Sequence, residues 1–140
     1  MLLCAVGDRV CGLPLDQVSE TLRPLRIDPL PGAPGFVTGV SLIRGRPTPV
    51  VDAARLLGET QAPVPRRVVT LKVGARVLGL AVTQVLGVRR VGPTVLEALP
   101  KLLDQTLAEK LGTLDDELLV VLRTARAVPD SVWAQLEAAR

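Results

Sequence analysis

The side chains that carry most protein chemistry are scarce in this 140-residue chain, which has no histidine and no tyrosine. Without an imidazole, no Ser-His-Asp or Cys-His nucleophile can be assembled. Histidine-dependent zinc sites and phosphohistidine relays are excluded on the same ground, and the two cysteines, Cys4 and Cys11, are too few for a structural zinc site. Carboxylates remain. Asp115-Asp116-Glu117 is the densest cluster, but it falls where a hairpin turn is expected and reads as a solvated turn, since catalytic carboxylates need a cleft. Asp104 and Glu109 read as surface charges on a helix, and Asp52 as a helix cap. Neither a G-x-x-x-x-G-K-[ST] loop nor a G-x-G-x-x-G loop is present. The expectation is a chain with no catalytic residues, no cofactor and no metal.

Arginines come in pairs, at Arg23/Arg26, Arg44/Arg46, Arg66-Arg67 and Arg89-Arg90, yet the net charge is only +3. That is too little to argue nucleic-acid binding. Barrels that bind single strands offer aromatic stacking platforms, and here the aromatic residues are Phe36 and Trp133. A basic β-barrel binding nucleic acid stays as an alternative of another class, with no nucleic-acid partner expected. What survives is binding to other proteins.

The elements that would position such a surface are announced by an internal repeat. Residues Val6-Gly7-Asp8-Arg9-Val10-Cys11-Gly12-Leu13, with Gln17 and Val18 beyond, reappear as Val73-Gly74-Ala75-Arg76-Val77-Leu78-Gly79-Leu80, with Gln84 and Val85. A fixed internal period implies two similar units. Each copy reads as a β-hairpin, 2–6 with 9–15 and 68–73 with 76–82, around a two-residue loop led by glycine, which suits a type II′ turn. In the first hairpin Cys4 falls opposite Cys11. The second copy has Leu71 and Leu78 in those places, so the cysteines read as small core hydrophobes. Gly12 and Gly79, inside the second strands, suggest a bulge or bend. Residues 17–22 and 84–91 continue each unit as extended chain.

Residues 28–35 are too rich in proline and glycine for helix or central strand and form a loop. From Phe36 to Asp52 the pattern predicts strand, tight turn near Gly45, and strand. Asp52 then caps a short helix, Ala53 to Leu57, ended by Gly58. The second unit matches with a turn and apolar strand over Leu114–Leu122. Between them Leu103, Leu107 and Leu111 share one helical face that Gly112 would end. Residues Asp130–Arg140 form a C-terminal helix that packs back on one unit. One domain over residues 1–140 is expected, with lobe 1 at about 1–60, lobe 2 at about 66–128 and the helix at about 130–140, strand exchange between lobes being open. Units of about 70 residues are near the limit for independent cores, so the lobes should share one. The start of the chain lacks a signal-peptide pattern and no apolar run reaches membrane-span length, so a cytoplasmic location without direct membrane insertion is expected.

Residues 14–58 carry a further pattern. It runs through Val18-Ser19-Glu20 and a proline-containing loop to Gly39-Val40-Ser41-Leu42-Ile43-Arg44-Gly45, then Pro49-Val50-Val51-Asp52. This resembles the CheW-like coupling proteins of bacterial chemosensory systems, whose hallmark is G-[VI]-x-N-L-R-G followed by P-[VI]-[VI]-D. The resemblance implies a mainly β fold: two SH3-like five-stranded β-barrel lobes sharing a hydrophobic core, plus short helices including a C-terminal one. It implies an adaptor without catalytic activity, whose partners are the cytoplasmic tip of a methyl-accepting chemoreceptor and the regulatory domain of the histidine kinase CheA. Recruitment to membrane-associated receptor arrays would follow. Carried over position by position, Val18, Glu20, Gly39 and Arg44 are receptor-side candidates, and Gly45, Pro49 and Asp52 belong to the structural motif. Leu42 stands where the family usually has asparagine, and Cys4 and Cys11 stand where it often has large aromatics. Those departures leave open a CheW-like interaction module serving a non-motility pathway.

Overall fold

A computed structural model describes residues 1–59, 64–90, 96–98, 108–114, 117–122 and 127–138. The two repeated hairpins form as β1 (Leu2–Val6) with β2 (Arg9–Leu13), and β6 (Arg67–Val73) with β7 (Arg76–Val82). Gly7 and Gly74 lead their loops with φ of 59° and 61°, the left-handed backbone that the first position of a type II′ turn demands. Cys4 pairs with Cys11 in the first ladder, and Leu71 with Leu78 in the second. Both ladders run without a register shift through Gly12 and Gly79. The bulge expected at these glycines is therefore absent. Gly79 is closely packed instead: a Cβ there would stand 3.0 Å from Val68 Cγ1, a tight contact to which the Val68 side chain would have to yield.

A 3₁₀ turn (Leu15–Gln17) leads into β3 (Val18–Leu22). The loop that follows ends at β4 (Val37–Ile43), which turns back into β5 (Arg46–Asp52). Arg44 and Gly45 form that turn with φ of 49° and 75°, and two consecutive positive values mark a type I′ hairpin. Asp52 ends β5 and caps α1 (Ala53–Leu56), accepting the amides of Ala54 at 3.0 Å and Arg55 at 3.4 Å. Further on come β8 (Gln84–Val88), β9 (Leu96–Ala98), β10 (Ala108–Leu114), β11 (Glu117–Leu122) and α2 (Asp130–Ala138). Leu111 lies in β10, so the helix inferred to end at Gly112 does not hold over 108–112. There β9 and β11 supply backbone partners on both sides, and this pairing overrides a local leucine spacing. Leu103 and Leu107 lie outside the described residues, as do Asp115 and Asp116 of the acidic cluster.

The strands make two sheets, ordered β8-β1-β2-β11-β10-β9 and β3-β6-β7-β5-β4. Each sheet draws strands from both halves of the chain. The hairpin of the first repeat sits beside β8 and β11, and that of the second sits beside β3 and β5. Parallel pairings join them, β11 to β2 and β5 to β7. The two orders correspond strand for strand. The apparent exception is β9, whose counterpart in the second sheet is a single bridge between Asp28 and Val40. Asp28 donates to the Val40 carbonyl at 2.9 Å and accepts from its amide at 2.8 Å. The chain leaving β3 thus returns along the far edge of its own sheet and brings the two ends of that sheet together, as closure of a small barrel requires.

Strand alternation divides the interior. On β6, Val69 and Leu71 face a large cluster shared with Cys4, Cys11, Leu13 and Leu122 of the other sheet. Val68 faces the small barrel interior with Val50 and Ala81, where Thr48, Thr70 and Ser41 are also buried. The main apolar core therefore lies between the sheets. Val132, Trp133 and Leu136 of α2 close one side of it. Arg76 fixes that helix, lying over the Trp133 ring at 5.1 Å and donating to Glu137 at 2.9 Å.

Candidate functional site

Two of the receptor-side candidates meet in space. Arg44 projects from the type I′ turn at the end of β4, and Glu20 from the middle of β3, at opposite ends of the strand order. The guanidinium grips the carboxylate through both oxygens, Nε to Oε1 at 2.9 Å and Nη2 to Oε2 at 2.8 Å. This fork-to-fork geometry is specific to arginine. It ties the two ends of the sheet together beside the Asp28–Val40 bridge. The Arg44 partner draws the Glu20 carboxyl below the usual carboxylate range, and Glu20 raises the guanidinium in turn. The pair is wet: the Arg44 side chain is 78% exposed and that of Glu20 25%. Its weight in stability is accordingly small. Its effect is to hold an exposed cation in one place.

The backbone beneath is equally determined. Thr70 accepts the Glu20 amide at 3.0 Å and donates its hydroxyl to the Glu20 carbonyl at 3.3 Å, across the bulge between Val18 and Glu20. Val18 is half-buried against the shared core, so its side chain supports the surface from below. Gly39 is buried at the bulge where β4 meets β5, with φ of 154°. A Cβ there would fall on the Asp28 carbonyl oxygen and 2.8 Å from Ile27 Cγ2. Its role is therefore to admit the returning chain. Gly45 completes the Arg44 turn, Pro49 pairs with Val40 inside the β4–β5 ladder, and Asp52 caps α1 at the far end of β5. Of the seven motif positions, Glu20, Arg44 and Gly45 reach one surface; the other four shape the frame.

The site also has apolar members that the motif does not include. A shallow cleft of about 210 Å³ is lined by Glu20, Leu22, Leu25, Leu42, Ile43 and Arg44. Across the Glu20–Arg44 bridge lies another of about 260 Å³, lined partly by Thr70, Val77 and Arg46. Leu42 is 71% exposed. The signal for this was in the alternation of β4: with Ser41 and Ile43 turned inward, Leu42 must turn outward.

The cysteines belong to no such surface. Both are free and fully buried, and burial raises each thiol to about 12. Among the described residues, no three His, Cys, Asp or Glu side chains converge where they could hold a metal ion. Among the same residues no helix is long and apolar enough to cross a membrane.

Comparison with known proteins agrees with the fold. Protein FrzA of Myxococcus xanthus is 40% identical over 88 residues, covering 61% of this chain and 55% of FrzA. Protein PilI of Pseudomonas aeruginosa is 34% identical over 100 residues, covering 69% of this chain and 56% of PilI. The chain thus spans little more than half the length of these curated relatives. The crystal structure of the scaffolding protein TtCheW from Thermoanaerobacter tengcongensis matches with a TM-score of 0.79 over 91% of this chain and 95% of that one, at 19% identity, which speaks to fold alone. The CheW-like domain family model matches residues 1–131. The chain belongs to the CheW-like domain family.

Proposed function

We propose that this chain is a non-enzymatic adaptor that couples chemoreceptors to a CheA-type histidine kinase. The observation that carries the reading is the Glu20–Arg44 bridge: two residues picked out by a receptor-side motif join on an exposed surface between two clefts. The mechanism is geometric. Two pseudo-equivalent sheets around one core present unlike outer edges, so two partners can be held at a fixed distance. The place where β3 and the end of β4 meet offers Glu20, Arg44 and Leu42. The β8 edge of the other sheet offers exposed Leu86 and Val88 instead.

In this reading the chemoreceptor tip docks at the Glu20–Arg44 surface and the kinase regulatory domain elsewhere, in the cytoplasm at receptor arrays. Titration of a receptor cytoplasmic fragment and of a CheA regulatory domain, each against wild-type protein and Arg44→Ala, tests it. Binding of both near micromolar protein, with only the receptor fragment lost in Arg44→Ala, is the expected result. Failure of both to bind overturns the reading. A second reading, a CheW-like module in a non-motility pathway, is favoured by Leu42 in place of the family asparagine, and the same titration would return no receptor binding.

A further inference from the structure

The arginine pair Arg66-Arg67 has no part in the site described above. Arg67 opens β6 opposite Val82, and the Arg66 amide donates to the Val82 carbonyl at 3.1 Å, so both are held where β7 passes into β8. With Thr83, Gln84 and Val85 they line a pocket of about 240 Å³. Arg23 leaves β3 level with this end of β6, because Leu22 before it pairs with Val68. All three arginines are exposed, and among the described residues none of the three has a carboxylate partner. Glu59 lies against Gly7, whose amide donates to the Thr83 hydroxyl at 3.0 Å, but Arg9 takes up that carboxylate at 3.5 Å. Neither member of that pair enters the charge of the pocket. The polar side chains lining it can all donate. Arg67 spends one Nη1 donor on the Arg66 carbonyl at 2.7 Å and keeps four N–H groups, and Arg66 keeps five. Thr83 accepts from Gly7, which leaves its own O–H to give. In the first repeat Asp16 stands at the position of Thr83, so this donor set belongs to the second copy alone and is not a by-product of the fold.

We propose that this pocket binds a phosphate group, free or carried on a larger molecule, received by the Arg66 and Arg67 guanidiniums and the Thr83 hydroxyl, with Arg23 adding to the field at its mouth. The volume is below the roughly 300 to 1,000 Å³ of sites for drug-sized ligands, which limits the occupant to a small group. A carboxylate presents two oxygens in one plane, and a single guanidinium satisfies both. A phosphate presents three acceptor oxygens in different directions, and donors from three separate positions of the chain can engage them together. The site lies away from Glu20 and Arg44 and does not depend on the adaptor reading.

NMR titration of the isotope-labelled full chain with inorganic phosphate and with acetate tests this, at fixed ionic strength because screening alone weakens any arginine contact. The variants are Arg66→Gln, at the pocket, and Lys72→Gln, at the other end of β6. The expected result is a saturable shift of the amides of residues 66, 67, 83 and 84 at about millimolar phosphate. Acetate should bind about tenfold more weakly, and Arg66→Gln should weaken phosphate about tenfold while Lys72→Gln leaves it unchanged. Shifts that never saturate or that centre elsewhere, equal binding of acetate, indifference to Arg66→Gln, or an equal loss in Lys72→Gln overturns the proposal. Both substituted side chains are exposed, so an amide spectrum unchanged away from the substitution shows that each variant folds. A short phosphoserine peptide, compared with its unphosphorylated form, separates the two sources. Binding tighter than inorganic phosphate supports a phosphoryl group on a protein, and weaker binding supports free phosphate. A chain that binds phosphate here and no receptor fragment defeats the adaptor reading alone, and the reverse defeats this inference alone.

Discussion

Replacing Gly39 with alanine should open one barrel without changing any side chain of the exposed partner surface. The added methyl would overlap the Asp28 carbonyl oxygen, so the returning chain must move off β4. Two hydrogen bonds of 2.9 and 2.8 Å between Asp28 and Val40 would be lost, together with that from the Ser41 hydroxyl to the Arg26 carbonyl. At about 1 kcal/mol for each of the Asp28–Val40 bonds, and about 1 to 3 kcal/mol for an L-residue held at an unfavourable backbone angle, the expected loss is about 3 to 5 kcal/mol. That is a large share of a typical domain stability of roughly 5 to 15 kcal/mol. Urea unfolding followed by circular dichroism measures the loss, and hydrogen exchange locates it. The Asp28 and Val40 amides should lose protection while those of β1 and β2 retain it under native conditions. A Gly39→Ala protein within about 0.5 kcal/mol of wild type, the scatter of ordinary surface substitutions, with Asp28 still protected, would refute the steric account and return Gly39 to the list of residues that touch a partner.

Three further outcomes follow from the same geometry. Cys4 and Cys11 should resist thiol reagents at neutral pH until the protein unfolds, because burial holds both thiols protonated to about pH 12. Since each pKa is raised on folding, unfolded thiols ionise first; the thiol contribution to stability should be constant below about pH 8.5, and stability should then fall by up to about 1.4 kcal/mol per pH unit per thiol until about pH 12, measured by urea titration across that alkaline range. Asp52→Ala should cost about 1 kcal/mol through loss of the α1 cap, read from the urea midpoint, with the β-sheet spectrum preserved. In Arg44→Ala the Glu20 carboxyl should titrate back up toward the ordinary carboxylate range by NMR. In wild type the contribution of this bridge is present above the unfolded carboxylate pKa and is lost as pH falls through the lowered folded value.

Local chemistry was legible in the residues. Glycine-led loops fixed two hairpins and their register, so Cys4 could be placed opposite Cys11 and read as core from Leu71 and Leu78. The Arg44-Gly45 turn and the Asp52 cap follow from rules that act within four residues. The exchange of hairpins between sheets was not legible, because the parallel pairings of β2 with β11 and β5 with β7 join segments far apart in sequence and leave no local pattern. The same holds for the site. The motif named Glu20 and Arg44 separately, but their contact depends on barrel closure, and closure depends on a bridge at Asp28 inside a proline-rich loop. Gly39 shows the converse. It stands out in the motif as if it touched a partner, and the structure gives it an internal reason. Leu25 had no signal at all, since its place beside Leu42 is set by how that loop returns.

The measurement that bears most directly on the adaptor account is simultaneous occupancy. Sedimentation velocity of this chain with a receptor cytoplasmic fragment and a CheA regulatory domain, at equal concentrations above both dissociation constants, reads it in one experiment. The account predicts a single ternary species, heavier than either binary complex, that loses only the receptor fragment in Arg44→Ala. Two binary complexes that exclude one another, or a chain that sediments alone, would contradict it.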